Sequence, residues 1–152
     1  MATPHFKGNC RSCLIGSLPL TDYAEAARLV WEHTPDIPLW VQLPKVPGEG
    51  MTRQFAAGMP GLVEEGGRAF IDAEGPDFEK SLLSFYEQAL ALQEEAADLD
   101  TSAFAMAPEA AGGFFELIRQ ARRRTPPPLA RKGQIVGPVT FGPSLCARQG
   151  NA

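Results

Sequence analysis

Two thiols three positions apart, Cys10 and Cys13, are the first residues whose type and spacing suggest chemistry. A Cys-x-x-Cys pair can cycle a disulfide when a helix N-terminus follows it and lowers a thiol pKa. Here an apolar run from Arg11 to Ile15 follows, which suits a strand. A structural zinc site would need a second such pair, and Cys146 alone does not make one. Packing or chance therefore accounts for the pair, and no metal ligand is expected in this chain. His5 sits in a polar terminus and His33 at a helix end, where a cation suits the dipole. Neither has beside it in sequence the Ser, Cys and acid set used in nucleophilic catalysis.

A second group of polar residues stands at or near the ends of apolar runs, Ser17, Gln42, Glu109 and Thr140, with Gln134 inside one. In parallel α/β folds the turns after strands face ligand. Each residue also has a local reading. Ser17 and Thr140 can bond their own turns, Gln42 can satisfy a backbone group, and Glu109 suits a helix dipole. Gln134 lies within a short strand candidate, and Trp40 suits a core.

The elements that would position these groups follow from periodicity. Arg11–Ile15 reads as a buried strand. Thr21 or Asp22 can cap a helix whose stripe is Tyr23, Ala27, Val30 and Trp31, stopped at Thr34-Pro35-Asp36. Ile37–Leu43 is a second strand with Pro38 at its entry. Gly61–Val63 and Arg68–Asp72 suit a small hairpin. Asp77 would cap the longest helix, carrying Phe78, Leu82, Phe85, Tyr86, Ala89, Leu92 and Ala96 with one polar intruder, Gln93. Ser102–Met106 is a third strand, and Pro108 opens a helix with Phe114, Phe115, Ile118 and Ala121 on one side. Gly112-Gly113 weakens that helix by about 1 kcal/mol per glycine, which close packing or close approach of a ligand would explain. Gly133–Val136 is the fourth strand. Strands alternating with helices imply right-handed crossovers and a parallel sheet.

Two stretches, Ile15-Gly16-Ser17-Leu18-Pro19-Leu20-Thr21 and Lys132-Gly133-Gln134-Ile135-Val136-Gly137-Pro138-Val139-Thr140, together resemble the superfamily of cobalamin-independent methionine synthase and uroporphyrinogen decarboxylase. Pro38–Pro44 and Ala107–Gly112 fall between them in the expected order. The likeness is nearer to the methionine synthase branch and covers roughly Cys13 to Gly142. It implies α/β architecture, with parallel βα units forming half of a TIM-like (β/α)8 barrel and a small β-hairpin excursion. It also implies methyl transfer to a small thiol such as homocysteine. Ile15 and Ser17 match a turn that holds the amino-acid part of the thiol, and Gln42, Glu109, Gln134 and Thr140 complete the expected substrate-binding set. Where the family often has an acid before its Pro-Glu pair, this chain has Ala107.

The family's zinc is held by His, Cys and acidic residues of later strands, so zinc is expected only with a C-terminal half. A closed barrel takes roughly 200 residues or more, and this chain has 152. A fragment of a longer protein, a half-barrel dimerising through its open sheet edge, or an open-sheet derivative are the readings of that mismatch. Catalysis is not expected from this length alone. The alternatives in function are a non-catalytic or self-assembling binding module and a decarboxylase-like lyase. The lyase would place arginines after the first strand, yet none follows Ser17 until Arg28.

Composition sets the remaining bounds. Hydrophobic residues make up 44%, charged residues 21%, and mean hydropathy is −0.14, values of an ordinary globular chain treated as one domain. A net charge of −4 provides no basic footprint for nucleic acid. Arg122-Arg123-Arg124 suits a helix end better than a phosphate site. No apolar run approaches the roughly 18 residues of a membrane span. No signal peptide is visible, and with three cysteines, an odd number, a cytoplasmic location is expected.

Overall fold

The computed structural model describes residues 6–66 and 68–145, so His5 and Cys146 lie outside the described residues. The chain divides into two compact units. The first takes the described residues up to Val46 together with Gly112–Gln134, and the second takes Pro47–Ala111 with those from Ile135 onward.

The first unit is built on helix α1, Tyr23–His33. Asp22 caps it, its Oδ1 accepting from the amides of Ala24 at 2.7 Å and Glu25 at 3.0 Å. At the other end the Thr34 amide and hydroxyl both donate to the Val30 carbonyl at 2.9 Å, which closes the last turn. The inner face buries Ala26, Ala27, Val30 and Trp31. Ala26 and Val30 meet Leu39, Val41 and Leu43, with Leu14, Leu18, Leu20, Tyr23 and Val46 packed around them. Asp22→Ala is expected to cost about 1 kcal/mol, read from urea unfolding followed by far-UV dichroism.

In the second unit come the short helix α2, Arg53–Ala56, and the strands β1, Leu62–Glu65, and β2, Arg68–Ile71. The strands pair antiparallel, Leu62 opposite Ile71 and Val63 opposite Phe70. The expected hairpin is present, with Glu64 and Glu65 in the strand rather than in its turn. Helix α3, Phe78–Gln93, follows and buries no residue completely. Asp77 precedes it, yet its side chain makes no capping bond. The inner side is half-buried, Phe85 meeting Phe104 at 4.8 Å between centroids. Leu83, Tyr86 and Leu90 lie more than half exposed.

Helix α4, Gly112–Ala121, returns to the first unit and packs on α1. Phe114 lies edge-on to Trp40 at 5.2 Å. Helix α5, Pro138–Ser144, belongs to the second unit.

The expected parallel sheet is not formed, and with it goes the half-barrel. The two-stranded antiparallel hairpin is the only sheet among the described residues. Of the four expected strands only Ile37–Leu43 takes part in pairing among the described residues, through two isolated parallel bridges to residues just outside the first and fourth, Ser17 with Gln42 and Leu39 with Lys132. Proline and glycine explain why pairing stops there. Pro38 and Pro44 bracket the central segment and lack ladder donors, while Gly133 and Gly137 weaken the last one. Ile15 is 88% exposed, so Arg11–Ile15 is not a buried strand.

The third expected strand, Ser102–Met106, is a series of turns after a single 3-10 turn at Leu99–Thr101. Local side-chain bonds capture the backbone there. Asp98 accepts from the Asp100 amide, Thr101 donates to the Asp98 carbonyl, and Ser102 donates to the Leu99 carbonyl. Such bonds compete with ladder formation. With that strand missing, the fourth segment meets the second one instead. The described residues therefore form no open four-strand edge of the kind expected to mediate dimerisation.

Two boundaries also move. Pro108 lies in a turn closed by Ala110 and Ala111 amides on the Ala107 and Pro108 carbonyls, and the helix begins at Gly112. The expected ligand-facing turn at Gly137–Thr140 is the first turn of α5, with Pro138 at its start. Proline is preorganised for that position.

The arginines after α4 end the helix as expected. The Arg124 guanidinium lies 4.5 Å over the Trp31 ring. Within α4, Arg119 donates to Glu116 at 2.7 Å. Those hydrogen bonds hold the Glu116 carboxyl below its ordinary value, against a smaller opposing effect of desolvation. A lowered carboxylate pKa means that the pair's contribution is present at neutral pH and lost as pH falls through that lowered value. An NMR titration should place the Glu116 midpoint below that of an exposed, unpaired glutamate. A midpoint at or above the ordinary value would refute the pairing.

Candidate functional site

The three extended segments of the first unit end together at Gly16, Ser17, Gln42 and Gln134. The Leu18 amide donates to the Gln42 carbonyl at 3.1 Å and carries the bridge that pairs Ser17 with Gln42. Paired residues in a parallel bridge project to the same face. On the far side of the central segment, the Trp40 amide donates to the Lys132 carbonyl and the Lys132 amide to the Pro38 carbonyl, both at 2.9 Å. This holds the chain two residues before Gln134. Apolar burial fixes the central segment, since Leu39, Val41 and Leu43 are all nearly or wholly inaccessible.

Gly16 adopts φ +123°, a conformation costly for any residue with a Cβ. The Gln134 carboxamide lies over it, with Oε1 at 3.9 Å from where a Cβ would stand. Its Nε2 is buried and has no hydrogen-bond partner among the described residues. A buried amide donor without a partner costs about 1–3 kcal/mol, so the position is one where an incoming acceptor would be held. Lys132 contributes a cation nearby, its Nζ donating to the Leu14 carbonyl at 2.8 Å.

The six residues singled out in the sequence divide. Ser17 and Gln42 are brought together by pairing, the first exposed and the second 8% exposed. Gln134 joins them through Gly16. Ile15 belongs to the same turn but its side chain is turned to solvent. Glu109 and Thr140 are exposed residues of the second unit. Glu109 lies in the turn before α4, and Thr140 in α5, where its carbonyl accepts from Ser144.

Sequence reasoning passed over three polar side chains. Lys132 carries no signal in the sequence beyond its place in the Lys132–Thr140 stretch. Glu49 is 1% exposed and Gln54 4% exposed. Gln54 Nε2 donates to the Ala110 carbonyl at 2.5 Å, tying α2 to the turn before α4. The signal available was Gly48-Glu49-Gly50, an acid flanked by residues small enough to let backbone close over it.

The zinc implied by the family likeness does not fit the residues present. Among the described residues no group of three His, Cys, Asp or Glu side chains is placed to hold a metal ion. Cys10 and Cys13 are both exposed and free. No helix among the described residues is long and apolar enough to cross a membrane. No family model, curated protein or solved structure matches the chain.

Proposed function

We propose that the chain is a cytoplasmic, methyltransferase-like protein whose own part is to hold the acceptor, a small amino-acid-bearing thiol such as homocysteine. The observation that carries this reading is the buried, unpartnered Gln134 Nε2 above the Gly16-Ser17 turn. That turn is the one whose likeness to methionine synthase implies binding of the amino-acid group. The chemistry is direct. A carboxylate accepts from amide, hydroxyl and ammonium donors, and Gln134, Ser17 and Lys132 offer one of each at this end of the segments. The exposed thiols of Cys10 and Cys13 suit a reducing compartment.

The reading is tested by isothermal titration of homocysteine into the full chain, with alanine and 2-aminobutyrate as partial ligands. Homocysteine should bind saturably, and Ser17→Ala and Gln134→Leu should each weaken it about tenfold, the equivalent of one charge-assisted hydrogen bond. Ser17 is exposed, so its removal should leave stability within about 0.5 kcal/mol. Absence of binding by homocysteine, or parent affinity kept by both variants, would sink the proposal.

A further inference from the structure

We infer that the outer side of α4 carries a second binding site, one for a planar aromatic ring that bears an anionic group. Phe114, Phe115, Ile118, Arg119, Arg122 and Arg123 line a concavity of about 650 Å³. That volume lies within the range of small-molecule sites, which combine an apolar lining with a few convergent polar groups. All six residues belong to the first unit.

The arrangement separates its chemistry along the helix. At its N-terminal end, Phe115 is 40% exposed and stands at 83° to Phe114, with centroids 5.2 Å apart. Phe114 is itself held by Trp40. This is an aromatic platform supported from beneath, suited to offset or edge contacts with another ring. One to two turns later come three guanidinium groups. Arg119 is engaged by Glu116, and Arg123 lies within the field of the same carboxylate. Arg122 is exposed and forms no ion pair among the described residues. Three cations against one carboxylate leave a net positive edge beside the rings. The charge complement is an anion, and the lining beside it selects against a bare one.

Arginine matches both phosphate and carboxylate by its planar fork. The shared ligand chemistry is therefore a ring joined to either group. Binding should be followed by amide shifts of Phe115 and Arg122 in the full chain. The probes are adenosine monophosphate, 1-naphthoate, adenosine and inorganic phosphate.

At least one of the two ring-bearing anions should bind saturably, and which of them does so identifies the anionic group. Adenosine and inorganic phosphate should each bind at least about tenfold more weakly. Arg122→Glu should lower the affinity about tenfold or more, and Phe115→Ser should do the same, with the fold reported by unchanged dichroism. Raising salt from 50 to 500 mM should weaken binding in the parent but not in Arg122→Glu. The inference is overturned if neither ring-bearing anion binds, if phosphate or adenosine alone binds as tightly, or if Arg122→Glu keeps the parent affinity. Since these residues lie apart from Gly16 and Ser17 in the chain, loss of homocysteine binding in Ser17→Ala leaves this test standing.

Discussion

Gly113→Ala is expected to destabilise the protein by about 1–3 kcal/mol, the range found when a packed interior is asked to hold extra atoms. Intrinsic helix propensity argues for the opposite sign, since alanine is favoured over glycine by about 1 kcal/mol inside a helix. Geometry decides between them. A Cβ at Gly113 would collide with the Val41 carbonyl oxygen, a backbone atom of the buried central segment. Backbone there cannot step aside without disturbing Leu39, Val41 and Leu43. The neighbouring Gly112→Ala meets the far end of the Tyr23 ring instead. A side chain can rotate away, so the second substitution should cost less than the first. Urea unfolding of both variants checks the order. Equal effects, or a gain in stability for Gly113→Ala, would refute the close contact.

This result bears on how the glycine pair is read. From sequence, close packing and close approach of a ligand explain Gly112-Gly113 equally well. The structure assigns the pair to packing of α4 on the central segment and on Tyr23. That distinction cannot be drawn from composition, because it depends on where a helix lands rather than on whether it forms.

The second large effect is expected at Leu43. It is completely buried in the cluster with Ala26, Val30, Leu39 and Val41. Leu43→Ala removes apolar contact and leaves a cavity that rigid neighbours fill only in part, at a cost of about 2–5 kcal/mol. Leu90→Ala in α3 removes the same atoms from a side chain 57% exposed and should stay within about 0.5 kcal/mol. Comparable losses at the two positions would show that α3 buries more than it does here. Native-state hydrogen exchange should agree, with slower exchange for Val30 and Val41 than for the amides of α3.

Helices with an apolar stripe were legible in the sequence, because burial against a neighbour enforces the 3.6-residue period. The α1 stripe of Tyr23, Ala27, Val30 and Trp31 and its stop at Thr34 agree with the observed helix. The hairpin was legible for the same reason at period two. Strands were the weak point. Arg11–Ile15, Ser102–Met106 and Gly133–Val136 are short apolar runs, and short runs carry no period to separate strand from turn. Ser102 and its neighbours bonded their own backbone, and Ile135 is 81% exposed to solvent. The inference from alternating elements to a parallel sheet then fails, since it requires ladders that two isolated bridges do not supply.

The candidate site was legible in part. Ser17 and Gln42 were visible as polar residues at the ends of apolar runs and Gln134 as one within a short run; backbone pairing gathers the first two, and the Gln134 side chain reaches Gly16 beside them. Glu109 and Thr140 shared that signal, but their runs did not become strands and both belong to the second unit. Glu49 gave no signal of its own type, as burial of an acid within a loop depends on what closes over it.

The first unit is discontinuous along the chain, leaving at Val46 and resuming at Gly112. During synthesis, Leu39, Val41 and Leu43 emerge long before the helix that covers the Val41 carbonyl. At about 5–20 residues per second, the intervening stretch takes several seconds to translate. Through that interval α1 can cover one side of the segment, but the side that α4 covers, at Trp40 and the Val41 carbonyl, stays open. Ribosome-bound chains arrested before residue 112 should therefore bind a hydrophobic-sensing chaperone, and those arrested well beyond residue 134 should release it.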